Sequence, residues 1–300
     1  VDVTAVLAER VLPDVSLVHG EGVVWRPDRQ RLLFVDVPEG RILEADLGTG
    51  EVRSVAVPGT VGAVHPTVDP DTLVIADSDG IALLRDGEVQ RLAAPLSGRP
   101  DMRMNDANVD PAGRYLAGSM AFDQTPGAGC LYRLDPDGTL HTAVGDTTIS
   151  NGLDWSDDGT HCYYVDSPLR RIDVFDYDVA TGALSGRRTF ADTSTVAGIP
   201  DGLTLDADGG VWVAFFGGGR VCRFTPDGEL DTTIELPVSQ VTSCCFGGAD
   251  LTELFVSTST EGLNEQRLRT QPLAGAIFRA VPGYRGRPSS AFALGKPVAS

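Results

Sequence analysis

The run LLFVD at Leu32–Asp36 recurs along the chain as LVIAD (Leu73–Asp77), YLAGS (Tyr115–Ser119), CYYVD (Cys162–Asp166), VWVAF (Val211–Phe215) and LFVST (Leu254–Thr258). The starts of these runs lie 41, 42, 47, 49 and 43 residues apart. A polar turn precedes each one: RPDRQ, DPD, DPAG, SDDG, DADG and GGAD. A further strand-like run follows, as in GCLYRL at Gly129–Leu134 and RIDVFDY at Arg171–Tyr177. Turns such as Asp135-Pro136-Asp137-Gly138 and Thr225-Pro226-Asp227-Gly228 then lead to a fourth strand. No stretch keeps a helical 3.6-residue period for ten residues. Four short strands per repeat of about 40–50 residues is the pattern of a β-propeller blade. The expected fold is therefore an all-β, six-bladed propeller with four antiparallel strands per blade, forming a single domain over residues 1–300. An open ring would leave unpaired strand edges. The segment Val3–Val11 is expected to close the ring by completing the last blade, and Arg285–Ser300, richer in Gly, Pro and Ser, to form a tail.

Composition narrows the function classes. The 300 residues carry 24 Lys and Arg against 42 Asp and Glu, a net charge of −18. So acidic a chain is a poor partner for nucleic acid or an anionic membrane surface, and its surplus oxygen ligands suit hard cations. No apolar run approaches the ~20 residues needed to cross a bilayer. The N-terminal Val1-Asp2-Val3-Thr4 shows no basic stretch leading into an apolar core, so no signal peptide is expected. The five cysteines (Cys130, Cys162, Cys222, Cys244 and Cys245) are odd in number and lack C-x-x-C spacing. They read as small buried residues in a reducing, cytoplasmic compartment rather than as a disulfide framework or zinc site. Cys244 and Cys245 are adjacent, and adjacent strand residues face opposite ways, which argues against a redox pair.

In a propeller the innermost strand of each blade lines the central channel. Those strands open with Glu21-Gly22 in blade one, Asn105-Asp106 in blade three, Asn151-Gly152 in blade four and Asp201-Gly202 in blade five. Blades two (Val61-Gly62-Ala63-Val64) and six (Thr242-Ser243-Cys244-Cys245) lack a carboxylate or amide there. Taken singly, each polar–Gly pair is explained by a strand-entry turn, where glycine is favoured. Their coincidence at pseudo-symmetric positions points to convergence at one mouth of the channel. Glu21, Asn151 and Asp201 offer only carboxylate and amide oxygens, which suits a hard cation, Ca²⁺ or Mg²⁺ first, with Mn²⁺ or Zn²⁺ able to enter. Residues just past each second strand should return to the same mouth, which places Asp123 there. Asp36, Asp77 and Asp166 stand in a repeated V-D or A-D pattern and read as turn caps. Arg103 should stand on the rim beside the anionic group.

These residues resemble the SMP-30/gluconolactonase/regucalcin family. The resemblance is carried by Glu21-Gly22-x-x-Trp25, Leu32–Asp36, Arg103-x-Asn105-Asp106, Asp110-Pro111-x-Gly113-Arg114-Tyr115, Ala117–Met120, Ile149–Trp155, Ile199-Pro200-Asp201-Gly202 and Gln271–Gly275, in the family's order. It implies a six-bladed propeller that holds one divalent cation in its channel and hydrolyses sugar lactones. Glu21, Asn151 and Asp201 then match the metal ligands, and Asp201 also the general base. Arg103 and Asn105 match contacts to substrate hydroxyls. Asp123 falls where many members carry an acidic substrate contact, often the longer Glu. Val23 replaces the proline usual after Glu-Gly. The implied small-molecule partner is a lactone.

Other chemistries lack their motifs. There is no G-x-S-x-G elbow and no H-x-x-x-H pair, and Gly217-Gly218-Gly219 lacks the spacing of a dinucleotide loop. Two alternatives stay open: another metal-dependent ester or phosphotriester hydrolase on the same fold, and a non-catalytic calcium-binding propeller.

Overall fold

The computed structural model describes residues 4–293. It contains six sheets with four antiparallel strands each, laid down in chain order from the channel outward except for the outer strand of blade six, and together they form a six-bladed β-propeller. The inner strands are Gly20–Arg26, Val61–Pro66, Met102–Val109, Ser150–Trp155, Ile199–Leu205 and Val241–Gly247. The recurring runs form the second strands. They are mainly apolar rather than alternating because each blade packs against neighbours on both faces. Leu32, Leu33, Phe34 and Val35 are all fully buried. Apolar side chains form six clusters, one at each junction between adjacent blades, such as Leu116, Leu153, Trp155 and Tyr164 between blades three and four. Cys244 faces the junction of blades five and six and Cys245 that of blades six and one, so the two thiols lie on opposite faces of one strand. Outer strands such as Glu88–Ala93 are largely exposed and polar.

The N-terminal segment closes the ring, but it divides into two strands. Thr4–Leu7 adds a fifth, parallel strand to blade five beside Leu230–Glu235. Glu9–Val11 completes blade six, antiparallel to Ile277–Ala280. The expected C-terminal tail crosses the far face of the ring from blades five and six to blades two and three. Gly286 bridges Asp206, Phe292 bridges Thr67, and Phe292 is buried. Residues 294–300, the end of that segment, lie outside the described residues. No helix among the described residues is long and apolar enough to cross a membrane. The one α-helix among them, Glu265–Thr270, is capped by the Asn264 side chain.

All six inner strands slip register against their second strands near their openings, each by one extra residue. In blade five, Pro200 pairs with Phe215 but Leu203 pairs with Val213. Such bulges bend a strand and re-aim a side chain. Asn105, Asn151 and Asp201 lie within these bulges and Glu21 directly before one.

The accompanying glycines serve a different purpose from the expected turn. Only Gly22 has a positive φ, 55°. At Gly62, Gly152 and Gly202 the neighbouring inner strand approaches so closely that a Cβ would lie 2.2 Å from the Asn105 carbonyl oxygen, 2.4 Å from Leu203 N and 2.7 Å from Ser243 Oγ. Glycine there lets the six inner strands crowd the axis.

Candidate active site

The bulges bring Glu21, Asn105, Asn151 and Asp201 to one mouth of the channel, each less than a tenth exposed. With Arg103 they line a cavity of about 140 Å³, where about 150 Å³ suffices to hold a benzene-sized ring. Met120, Phe122, Ile149, Ile199 and Phe216 supply an apolar wall, and His19, Gln124, Ser167 and Glu261 complete the lining.

Glu21, Arg103, Asn105 and Asn151 are held by hydrogen bonds. Asn151 Nδ2 donates to Ser167 Oγ at 2.9 Å. Gly22 N donates to Glu21 Oε2 at 3.0 Å. Arg103 Nη1 donates to Asn105 Oδ1 at 2.6 Å and to the Met104 carbonyl at 3.1 Å, and Asn105 Nδ2 donates to the Ser150 carbonyl at 2.9 Å. Asn105 thus braces Arg103 and keeps one donor and one acceptor position spare.

The electrostatics are those of buried negative charge. Burial first, then the neighbouring Asp201 and Asp106 charges, pushes Glu21 well above the usual carboxylate range. Burial and Asp106 do the same to Asp201, against the pull of Arg103. Asn151 Oδ1 and Asp201 Oδ1 are buried with no hydrogen-bond donor. Buried oxygens normally have partners, and unpartnered ones cost about 1–3 kcal/mol each. A hard cation among Glu21, Asn151 and Asp201 would satisfy both oxygens and let both carboxylates ionise. Among the described residues no three His, Cys, Asp or Glu side chains converge as a metal cage. The candidate set is two carboxylates and an amide oxygen.

The remaining sequence-derived residues divide. Asp123 lies on the loop between the lining residues Phe122 and Gln124, but it is exposed and outside the lining. Its Oδ1 accepts from Thr125 N at 3.0 Å and Thr125 Oγ1 at 2.7 Å, capping its own turn. Asp36 and Asp166 are structural caps, accepting the backbone N–H groups of Val18 and His19 and of Thr148 and Ile149, which lead into inner strands. Asp77 caps its own turn through Asp79 N and Gly80 N and pairs with Arg91.

Four polar lining residues, Gln124, Ser167, His19 and Glu261, were not anticipated, and the last two pair with each other. His19 Nδ1 lies 2.8 Å from Glu261 Oε2 and 2.9 Å from Ser259 Oγ, and its Nε2 lies 3.7 Å from Glu21 Oε1. Glu261 follows the second strand of blade six, so the rule that pointed to Asp123 in blade three points to Glu261 when applied there. His19 precedes the strand opening and leaves no repeat signal.

A second cavity, about 350 Å³, occupies the opposite end of the channel beneath the C-terminal crossing. Its acidic lining residues are Asp106, pushed up to about 6 by burial, and Asp154 and Asp157, which lie 3.5 and 3.8 Å from Arg287.

An oxygen-lined pocket at one mouth of a six-bladed ring defines a class of propeller with a candidate cation site on its axis. Residues 19–260 match the SMP-30/Gluconolactonase/LRE-like region, and the chain belongs to that family. A regucalcin of Xenopus laevis is 38% identical over 91% of this chain and 94% of its own length. A crystal structure described as a calcium-binding protein, regucalcin, from Agrobacterium tumefaciens superimposes with a TM-score of 0.92 at 29% identity, covering 96% of this chain and 99% of that one. A luciferin-regenerating enzyme superimposes at 0.89 with 30% identity, covering 95% and 98%.

Proposed function

We propose that the protein hydrolyses a sugar-type lactone in a reaction that depends on one divalent cation, Ca²⁺ first and Mg²⁺, Mn²⁺ or Zn²⁺ as substitutes. The observation that carries this reading is the pair of unpartnered buried oxygens, Asn151 Oδ1 and Asp201 Oδ1, set beside Glu21 and facing Arg103 across a ring-sized pocket. Glu21, Asn151 and Asp201 would hold the cation, which when bound polarises a carbonyl and offsets the negative charge that develops on it. Asp201 removes a proton from the attacking water as its oxygen bonds to the lactone carbonyl carbon. The ring C–O bond then breaks, and the departing oxygen takes that proton back as an alcohol. Arg103 and the spare positions of Asn105 orient hydroxyls, and the apolar wall excludes bulk water from the ring face.

The test is a lactone panel followed with a pH indicator, run on chelator-stripped protein with single cations added back. Acid release should vanish on stripping and return with a cation. Full activity in protein shown to be metal-free by elemental analysis would overturn the reading. The description of the Agrobacterium relative as a calcium-binding protein favours a second reading, a calcium-binding propeller without turnover. Stoichiometric cation binding with no acid release from any lactone would select it.

A further inference from the structure

We infer that Glu261, clamped by His19, accepts a substrate hydroxyl at the channel mouth and thereby selects polyhydroxylated over unsubstituted ring substrates. The inference rests on the lactone reading for the reaction, but not for the binding. Beyond the single spare acceptor position of Asn105, a mouth that recognises a polyol gains from a charged acceptor set among its donors. Arg103 is donor only. Asp123 has committed an oxygen to Thr125 and stands outside the lining. The equivalent loop of blade six, Ser259–Glu261, carries the acceptor instead. It is fixed at three points: Glu261 N donates to Ser259 Oγ at 2.8 Å, its carbonyl accepts from Gln240 Nε2 at 2.8 Å, and Oε2 receives His19 Nδ1 at 2.8 Å. Ser259 Oγ is itself tied to the Val18 carbonyl at 3.0 Å.

This bracing leaves Oε1 of a rigidly placed carboxylate free at the opening, where the side chain is 60% exposed. The His19 contact holds Glu261 below the usual range, with Arg103 adding to the effect, so it is ionised and can only accept. Glu261 in turn is the strongest charge acting on Arg103. An acceptor and a donor that line one pocket match hydroxyls on a ring, whereas a bare ring or an anionic ligand gains nothing from the carboxylate.

The experiment compares wild type with Glu261→Gln and Glu261→Ala, both at an exposed side chain, with cation saturating and folding checked by thermal melt. Hydrolysis of glucono-δ-lactone is measured against δ-valerolactone, and calorimetric binding of glucono-δ-lactam, which resists hydrolysis, against δ-valerolactam. The ratio of kcat/KM between the two lactones should fall about 10- to 100-fold in Glu261→Ala, and glucono-δ-lactam affinity should fall by a similar factor. Equal losses on both members of each pair, or no Glu261-dependent difference in either pair, would overturn the inference. So would a selective loss that appears in Asp123→Asn instead. Glu261-dependent lactam binding in a protein that hydrolyses no lactone would sustain the inference while sinking the lactonase reading.

Discussion

Asp201 is asked both to hold a cation and to take a proton, and substitution separates the two. Asp201→Asn keeps the size and one ligand oxygen but removes the basicity. Cation binding should survive in weakened form, while kcat at saturating cation should fall about 10²–10⁴-fold. Glu21→Gln should weaken cation affinity first, so that excess cation restores much of the rate. Arg103→Ala should spare the cation and lower kcat/KM for polyhydroxylated lactones. Calorimetric cation titrations with initial rates check all three, and an Asp201→Asn rate within a few-fold of wild type would leave Asp201 a ligand only. These residues were legible in the sequence because equivalent positions of a repeat share a location, so Glu21, Asn151 and Asp201 could be placed together before any contact was known. Glu261 was accessible by the same reasoning but lies in a loop, where blade lengths differ. His19 was not accessible, because a lone histidine ahead of a strand carries no periodic signal. Asp123 stands on the loop beside this mouth, yet no pattern announces that a carboxylate will turn back on Thr125.

Among the strands, the bulge is the device that matters. A straight inner strand would alternate its side chains between the two blade junctions. The extra residue breaks that alternation at Asn105, Asn151 and Asp201 and sends a polar side chain toward the axis. The strands themselves were legible from their β-branched runs and turn residues. The register slip was not, because it is a property of two strands rather than one. The glycines were visible but their purpose was not, since close approach of a neighbouring strand leaves the same residue behind as a turn does. Gly152 gives the test. Gly152→Ala drives a Cβ to 2.4 Å from Leu203 N and 2.7 Å from the Asp201 carbonyl. It should cost about 1–3 kcal/mol in urea unfolding and weaken cation affinity through Asn151 and Asp201. Gly145→Ala, in the outer strand of blade three where an added Cβ meets nothing within 4 Å, should stay within about 0.5 kcal/mol of wild type.

Across the whole molecule, Glu21 in blade one, Asn151 in blade four and Asp201 in blade five tie distant parts of the ring to one point. A cation held there favours the closed ring over any open one. At a hundredfold excess over Kd it should add about 2.7 kcal/mol of stability, so chelation should lower Tm by several degrees and cation should restore it. An unchanged melting curve on chelation and add-back would argue against the site. Closure also depends on Glu9–Val11, whose removal would leave Ile277–Ala280 an unpaired edge. Deletion of residues 4–11 should produce concentration-dependent association, checked by light scattering. The order in which a ribosome delivers the chain gives this joint a further meaning. The strand Glu9–Val11 emerges before every strand of its own blade, and its partner Ile277–Ala280 emerges after every other blade strand. Blades one to five can form during translation only as an open arc, with one sticky edge waiting for the remainder. Glu261, too, is still to come when Glu21, Asn151 and Asp201 have already been made. Until Ile277–Ala280 has been made the nascent protein has no finished ring, and it stays exposed to the pairing errors that the completed ring forbids.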